Sequence, residues 1–336
     1  METNTMKLKT IFISIVAALG ILHNSWGKGI YLVSGDPMST KVYYMDGSIA
    51  RLHIKNTLVA SGIPSIFDAR KVFVGGEVTA IGNNAFNACS NLESVVMRPS
   101  VTSIGAIAFG GCSSLRSVVI PNGITIIKGS TFSGCRSLSQ VKIPTSVTNI
   151  EAWAFNNCTS LVSVVVPNSV QAIGQGVFSG CKQLQTITMS DGVLSLGSSL
   201  FDNCEKLESF TLPSTITSIG NFAFRNCKSL VEINIPDGVT IIGSQMFYGC
   251  TSLASINLPN GITSIGDYAF ALCKFTTLQV PASLETIGTA AFNGCSKLMD
   301  VTMVGKDKAT VQGMTGYPWG LPVGCVIQCT DGGITR

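Results

Sequence analysis

Cysteine has the widest chemical repertoire of any residue type in this chain, which holds twelve of them among 336 residues. A thiolate can attack a carbonyl, ligate zinc or join a second sulfur. Each use needs company. A nucleophile needs a base beside it, and only two histidines are present, His23 and His53. A metal needs several ligands converging on one point. Ten cysteines instead close a marker, Phe-x-x-Cys. It runs from Phe86/Cys89 to Phe270/Cys273 at intervals of 23 residues and ends with Phe292/Cys295 after 22. A fixed period of this size is the signature of stacked structural repeats. Cysteines stacked in one column point the same way and meet no common centre, so no metal site is expected.

The same column bears on disulfides. Neighbouring strands lie about 4.8 Å apart, inside the Cα range of a disulfide. Phe and Leu frame each thiol, however, and a free cysteine in such a setting acts as a small hydrophobe. Free, buried thiols are therefore expected. Cys325 and Cys329, with an extended segment between them, would have Cα atoms about 13 Å apart, too far to bridge. His23 falls in a segment read below as a signal and His53 in a terminal cap. The glycines punctuate repeats rather than form a phosphate loop. No catalytic site, cofactor or metal is expected.

The elements that hold this column follow from the other columns. Ile or Leu stands five residues before each Phe, as in Ile81, Ile104, Leu196 and Ile287. Leu follows most cysteines by three, as in Leu92, Leu115 and Leu184. An apolar-x-apolar pair comes next (Val95/Met97, Val118/Ile120, Ile233/Ile235), the alternation of a short half-buried strand. Pro121, Pro144, Pro167, Pro213, Pro236 and Pro259 close that strand, since proline cannot donate to a ladder. A second short extended piece is expected around Val239 to Ile242. The stretch into Phe-x-x-Cys lacks alternation and suits a short helical or 3₁₀ turn. Gly or Asn precedes eight of the ten cysteines, consistent with a left-handed turn ending; Ala88 and Leu272 are the exceptions. Leu272 precedes the 22-residue interval, where distortion is expected. The glycine column from Gly82 to Gly288 is interrupted by Lys128 and Glu151, so it does not strictly require glycine.

One coil buries about seven apolar side chains at roughly 1.5–3 kcal/mol each, while ordering its backbone costs about 1–2 kcal/mol per residue. A lone coil is unstable; stacking covers its open faces.

The ends depart from the pattern. Residues 1–27 read as a secretory signal: Lys7 and Lys9, an apolar run from Ile11 to Leu22, then Ser25-Trp26-Gly27. Residues 28–57 are expected to form a small β cap, 58–304 the repeat array with a degenerate first coil (Ile63, Ile66, Ala69, Val72, Val74, Val78, Ile81), and 305–336 a C-terminal cap with an aromatic and proline lid over the last coil and a final strand. No lipoprotein cysteine, sorting sequence or membrane-spanning stretch is read, so the expected location is secreted or cell surface. A net charge of +4 with 12% charged residues and no basic run gives no nucleic-acid footprint.

The running pattern Leu-x-x-Val-x-Ile-Pro-x-x-Val-Thr-x-Ile-Gly-x-x-Ala-Phe-x-Gly-Cys, clear in residues 253–273, resembles the BspA-like or treponemal leucine-rich repeat. The resemblance covers about residues 58–304. It implies a leucine-rich repeat solenoid of about ten 23-residue repeats, a right-handed superhelix with a parallel β-sheet on its concave face. The family includes secreted and cell-surface proteins, some associated with adhesion to host matrix proteins or cells.

One side chain of each coil should point outward between the two inward strand residues. These candidate partner-binding residues are Val96, Val119, Lys142, Val165, Thr188, Thr211, Asn234, Asn257, Gln279 and Thr302. A second outward column runs from Ser94 through Gln140 and Glu232 to Asp300. This face is small, polar and nearly uncharged, with valines in its first half. The partner expected is a host matrix or cell-surface protein, anchored on those valines. The alternatives are a glycan, although the columns offer no aromatic platform, and a structural spacer with no small ligand. β-Branched residues also favour exposed strands without any partner.

Overall fold

The computed structural model describes residues 40–44, 49–52, 56–58 and 68–336. The expected signal, His53, Ile63 and Ile66 lie outside the described residues. The chain divides into two compact units, one ending at Ser169 and one spanning Val170–Arg336. Both are built from parallel-strand coils of a β-solenoid, about eleven in all, with almost no helix.

Each coil has a wide strand, a narrow strand and a turn segment. In the first unit the wide row comprises Ala69–Phe73, Ser94–Val96, Ser117–Val119, Gln140–Lys142 and Ser163–Val165. They pair in parallel without slippage, Lys71 to Ser94, Ser94 to Ser117 and Ser117 to Gln140. Pairing this regular follows from the period-two pattern, because a one-residue slip would turn Val95 and Val118 to solvent. The narrow row takes in Asn56–Leu58, Val78–Ile81 and Ser103–Ile104. In the second unit the narrow strand Ile241–Ile242 pairs with Ser264–Ile265, and that with Thr286–Ile287. Proline sets the corner between the rows. Its carbonyl accepts the amide three residues on, as Pro121 does from Ile124 and Pro236 from Val239.

The turn segment differs from the helical or 3₁₀ turn expected of it. Alternate amides bond inside the coil and to the next coil. In the first unit the amides of Asn84, Phe86 and Ala88 donate to the carbonyls of Ala106, Ala108 and Gly110 at 3.0, 2.6 and 2.6 Å. Those of Ala85, Asn87 and Cys89 turn back to residues three earlier. Two residues per coil in the left-handed region make this possible, one two places before Phe and one two places after. The second column, from Ala88 (φ 62°) to Gly294 (φ 72°), is left-handed in all ten coils, Ala88 and Leu272 included. A left-handed non-glycine costs about 1–2 kcal/mol. Each inter-coil hydrogen bond returns about 0.5–1.5 kcal/mol and spares a buried donor, so the turn ladder sustains the strain.

The interior is layered by column. The Phe-x-x-Cys phenylalanines are fully buried and stack, with ring centroids 5.5 Å apart for Phe109/Phe132 and 5.6 Å for Phe247/Phe270, both 2° from parallel. Glycines let the backbones approach where Gly105, Gly220 and Gly266 stand. A Cβ on Gly220 would lie 2.4 Å from the amide nitrogen of Ser198. Glycine is thus needed there for space, although Lys128 and Glu151 replace it elsewhere.

Antiparallel strands finish the wide rows. Thr40–Tyr44 pairs antiparallel with Ala69–Phe73 in the first unit. In the second, Asp300–Met303 pairs in parallel with Val326–Cys329, which forms a hairpin with Gly332–Thr335. Between them lie a short helix, α1 (Lys308–Gly313), capped by Asp307, and a turn that buries Trp319 against Tyr317 and carries its carbonyl to the Phe292 amide.

Candidate functional site

The expected outward column is outward. Val96, Val119, Lys142, Val165, Thr188, Thr211, Asn234, Asn257, Gln279 and Thr302 are all exposed, while their strand neighbours Val95, Val118, Val164, Ile187, Ile233, Leu278 and Val301 are buried. The valines stand out most: 70% of Val119 and 64% of Val165 meets solvent. Val119 pairs directly with Lys142. A shallow groove of about 430 Å³ in the second unit is lined by Thr211, Glu232, Asn234, Ser255 and Asn257. One of about 490 Å³ in the first unit is lined by Lys142, Ile143, Val165 and Pro167. The exposed column is apolar in the first unit and amide- and hydroxyl-rich in the second.

The wide row of the second unit is interrupted at residues 209–211. Residues 209–211 form no strand, and Ser209 makes only an isolated bridge to Glu232. The inward residue there is Phe210 where the neighbouring coils carry Ile187 and Ile233. Its ring wedges against Phe201 at 5.2 Å and 64° and against Phe224 at 6.2 Å. A phenylalanine is too large for an isoleucine niche, so it holds the strand out of ladder distance. The 22-residue coil shows the same exchange. The distortion expected there lies in the turn after Cys273 and in the ladder, since Thr277–Val280 pairs with Asp300–Met303 but not with Ser255–Asn257. Phe275 takes the buried Leu position one residue early, edge-on to Phe270 at 5.7 Å.

The cysteine column is built for packing. All twelve cysteines are free, and the ten of the column are buried. In at least eight coils the thiol donates to the phenylalanine carbonyl of the preceding coil, as Cys112 does to Phe86 and Cys227 to Phe201 at 3.1 and 3.3 Å. Burial pushes the thiols of Cys89, Cys135, Cys250 and Cys295 up to about 12, and those of Cys112, Cys204, Cys227 and Cys273 well above their ordinary value. Thiols held protonated in this way are poor nucleophiles and poor ligands. Among the described residues no cluster of three or more His, Cys, Asp or Glu could hold a metal.

The sequence reading missed a third surface, on the turn segment. The first left-handed column runs Asn84, Ile107, Ser130, Trp153, Gly176, Ser199, Phe222, Gln245, Tyr268 and Ala290. Only one of its ten members is glycine. Asn84, Ile107 and Tyr268 are exposed and most of the others are half-buried, so the column flanks the core rather than filling it. Beside this column Arg225 forms a two-point ion pair with Asp202 at 2.8 and 2.7 Å and lies 5.1 Å over the Phe222 ring. The hydrogen bonds that Arg225 donates to Asp202 raise its pKa. Aromatic residues at the 23-residue step were visible in the sequence, but their outward direction depends on a backbone conformation that side-chain type does not announce.

Comparison with known proteins places the architecture. The model of the BspA type leucine rich repeat region matches residues 79–208 and 173–299, in six copies. The chain belongs to the BspA-type leucine-rich repeat family. A leucine-rich repeat protein from Bacteroides ovatus is 23% identical over 79% of this chain, with a TM-score of 0.57; the chain spans 63% of that protein. The pneumococcal vaccine antigen PcpA is 18% identical, covering 90% of this chain and 80% of its own, also at 0.57. A leucine rich cell surface protein from Faecalibacterium prausnitzii is 28% identical over 80% of this chain and 87% of its own, with a TM-score of 0.49. These likenesses concern the fold. No curated protein matches the chain. Among the described residues no helix is long and apolar enough to cross a membrane.

Proposed function

We propose that this BspA-type repeat protein is secreted or held at the cell surface and binds a protein partner, a host matrix or cell-surface protein, across its strand face. The observation that carries the reading is the valine set. Val96, Val119 and Val165 are 44%, 70% and 64% exposed on a hydrogen-bonded sheet, and they fill no core position. A rigid scaffold loses little conformational freedom on binding, and such preorganisation strengthens association. Lys142, between Val119 and Val165 in the row, adds a charge that would orient an acidic stretch of the partner. The signal-like residues 1–27 and the family resemblance support the location.

The test is binding of the purified chain to immobilised matrix proteins, compared with a variant carrying Val96→Asp, Val119→Asp and Val165→Asp. Three buried valines at about 1.5 kcal/mol each would make the variant at least about 100-fold weaker. Its stability should fall only slightly, because exposed strand positions tolerate such changes within about 1 kcal/mol each. Equal binding by the two proteins would remove the strand face from consideration.

A further inference from the structure

The turn face of the second unit carries the aromatic groups that the strand face lacks. Phe222 and Tyr268 stand in the left-handed column two coils apart, with Gln245 between them, and Tyr248 is half-exposed on the adjoining column. Tyr268 is 37% exposed. Asparagine or glycine would adopt the same backbone more readily, and the stack of buried phenylalanines beneath does not use these rings. The first unit repeats the alternation with Ile107, Ser130 and Trp153. Bulky residues recurring at a strained, outward-facing position call for a reason outside folding.

We propose that Phe222, Gln245, Tyr248 and Tyr268 form a binding strip for an extended, uncharged β-linked hexose chain. The spacing argues for this occupant. Coils advance by about 4.8 Å, so rings two coils apart are about 10 Å apart along the stack. In an extended β-linked hexose chain every second residue presents the same face, at a repeat close to that distance. The apolar C–H face of a sugar packs on an aromatic ring, and the Gln245 amide, which can both donate and accept, lies where the intervening sugar would pass. Arg225 lies over the Phe222 ring, and its ion pair with Asp202 neutralises its charge. What remains is the Asp267 carboxylate, which disfavours sulfated or uronic chains. A folded protein partner would have no need of the regular two-coil step. This surface is separate from the valine face, so the two proposals stand or fall apart.

The experiment is calorimetric titration of the whole chain with cellohexaose, β-1,4-mannohexaose and chitohexaose, with α-linked maltohexaose as control. Saturable binding of at least one β-linked hexamer and none of maltohexaose is expected. Phe222→Asn and Tyr268→Asn should each weaken it at least tenfold. Tyr268→Asn should melt at the same or a higher temperature, because Tyr268 is exposed and asparagine suits the left-handed backbone, so its loss of binding cannot be ascribed to misfolding. The triple-valine variant should bind the sugar normally. Failure of the wild-type chain to bind any β-linked hexamer would overturn the proposal, as would unchanged affinity in both asparagine variants. Capture of a matrix protein that depends on Tyr268, without sugar binding, would overturn it in favour of a protein surface.

Discussion

Leu272 occupies a left-handed site at φ 67° that Gly or Asn fills in eight of the ten coils. It is 42% exposed, so its side chain gains little from burial. Replacing it should therefore relieve strain at small cost. Leu272→Asn is expected to stabilise the chain by about 0.5–1 kcal/mol, read as a higher urea midpoint; a lower midpoint would show that the Leu272 contacts on Gly294 outweigh the strain. The cysteines make the complementary point. Each is chemically versatile in isolation. Burial and a carbonyl acceptor from the preceding coil reduce it to a small packing group with one satisfied donor.

At the scale of the element, the wide strand is defined by what stands inward. Val95 pairs with Val118 and Ile233 with Ile256 in regular ladders, whereas Phe210 stands in none. If ring size causes the break, Phe210→Ile should restore the ladder. Amide hydrogen exchange at residues 209–212 should be faster than in Glu232–Asn234 in the native chain and slow several-fold in the variant. Lost ring contacts and gained hydrogen bonds should leave global stability within about 2 kcal/mol. Unchanged exchange would mean that the neighbouring turns, and not the ring, hold this strand apart.

For the molecule as a whole, repetition multiplies small terms. An ordinary thiol titrates near 9.0, yet burial lifts Cys135 and Cys250 to about 12 and Cys112 well above its ordinary value. The unfolded chain loses those protons near pH 9 while the folded chain keeps them. Stability is therefore fully present below about pH 8 and falls as pH climbs from about 9 towards 12. The slope is about 1.4 kcal/mol per thiol per pH unit. Several thiols acting together can exhaust a stability of about 5–15 kcal/mol by about pH 11. Urea midpoints measured across this range should drop steeply, and a flat profile would show that the thiols titrate near their ordinary value when folded.

The sequence by itself determined the coil. A 23-residue period, the Phe-x-x-Cys marker and a period-two pair require that Phe109, Cys112, Leu115 and Val118 face one core, because no single coil can bury them. The same period placed Val119 and Val165 outward, since side chains alternate along a strand and the inward places were taken. Tertiary structure decided what depends on the neighbouring coil. The turn segment adopts two left-handed residues rather than a 3₁₀ turn because its amides bond the next coil, and a local pattern carries no record of that partner. The place where Phe210 opens the ladder depends on the volume of an isoleucine niche. The outward aspect of Phe222 and Tyr268 likewise follows from φ angles that the stacked backbone imposes against their own preference.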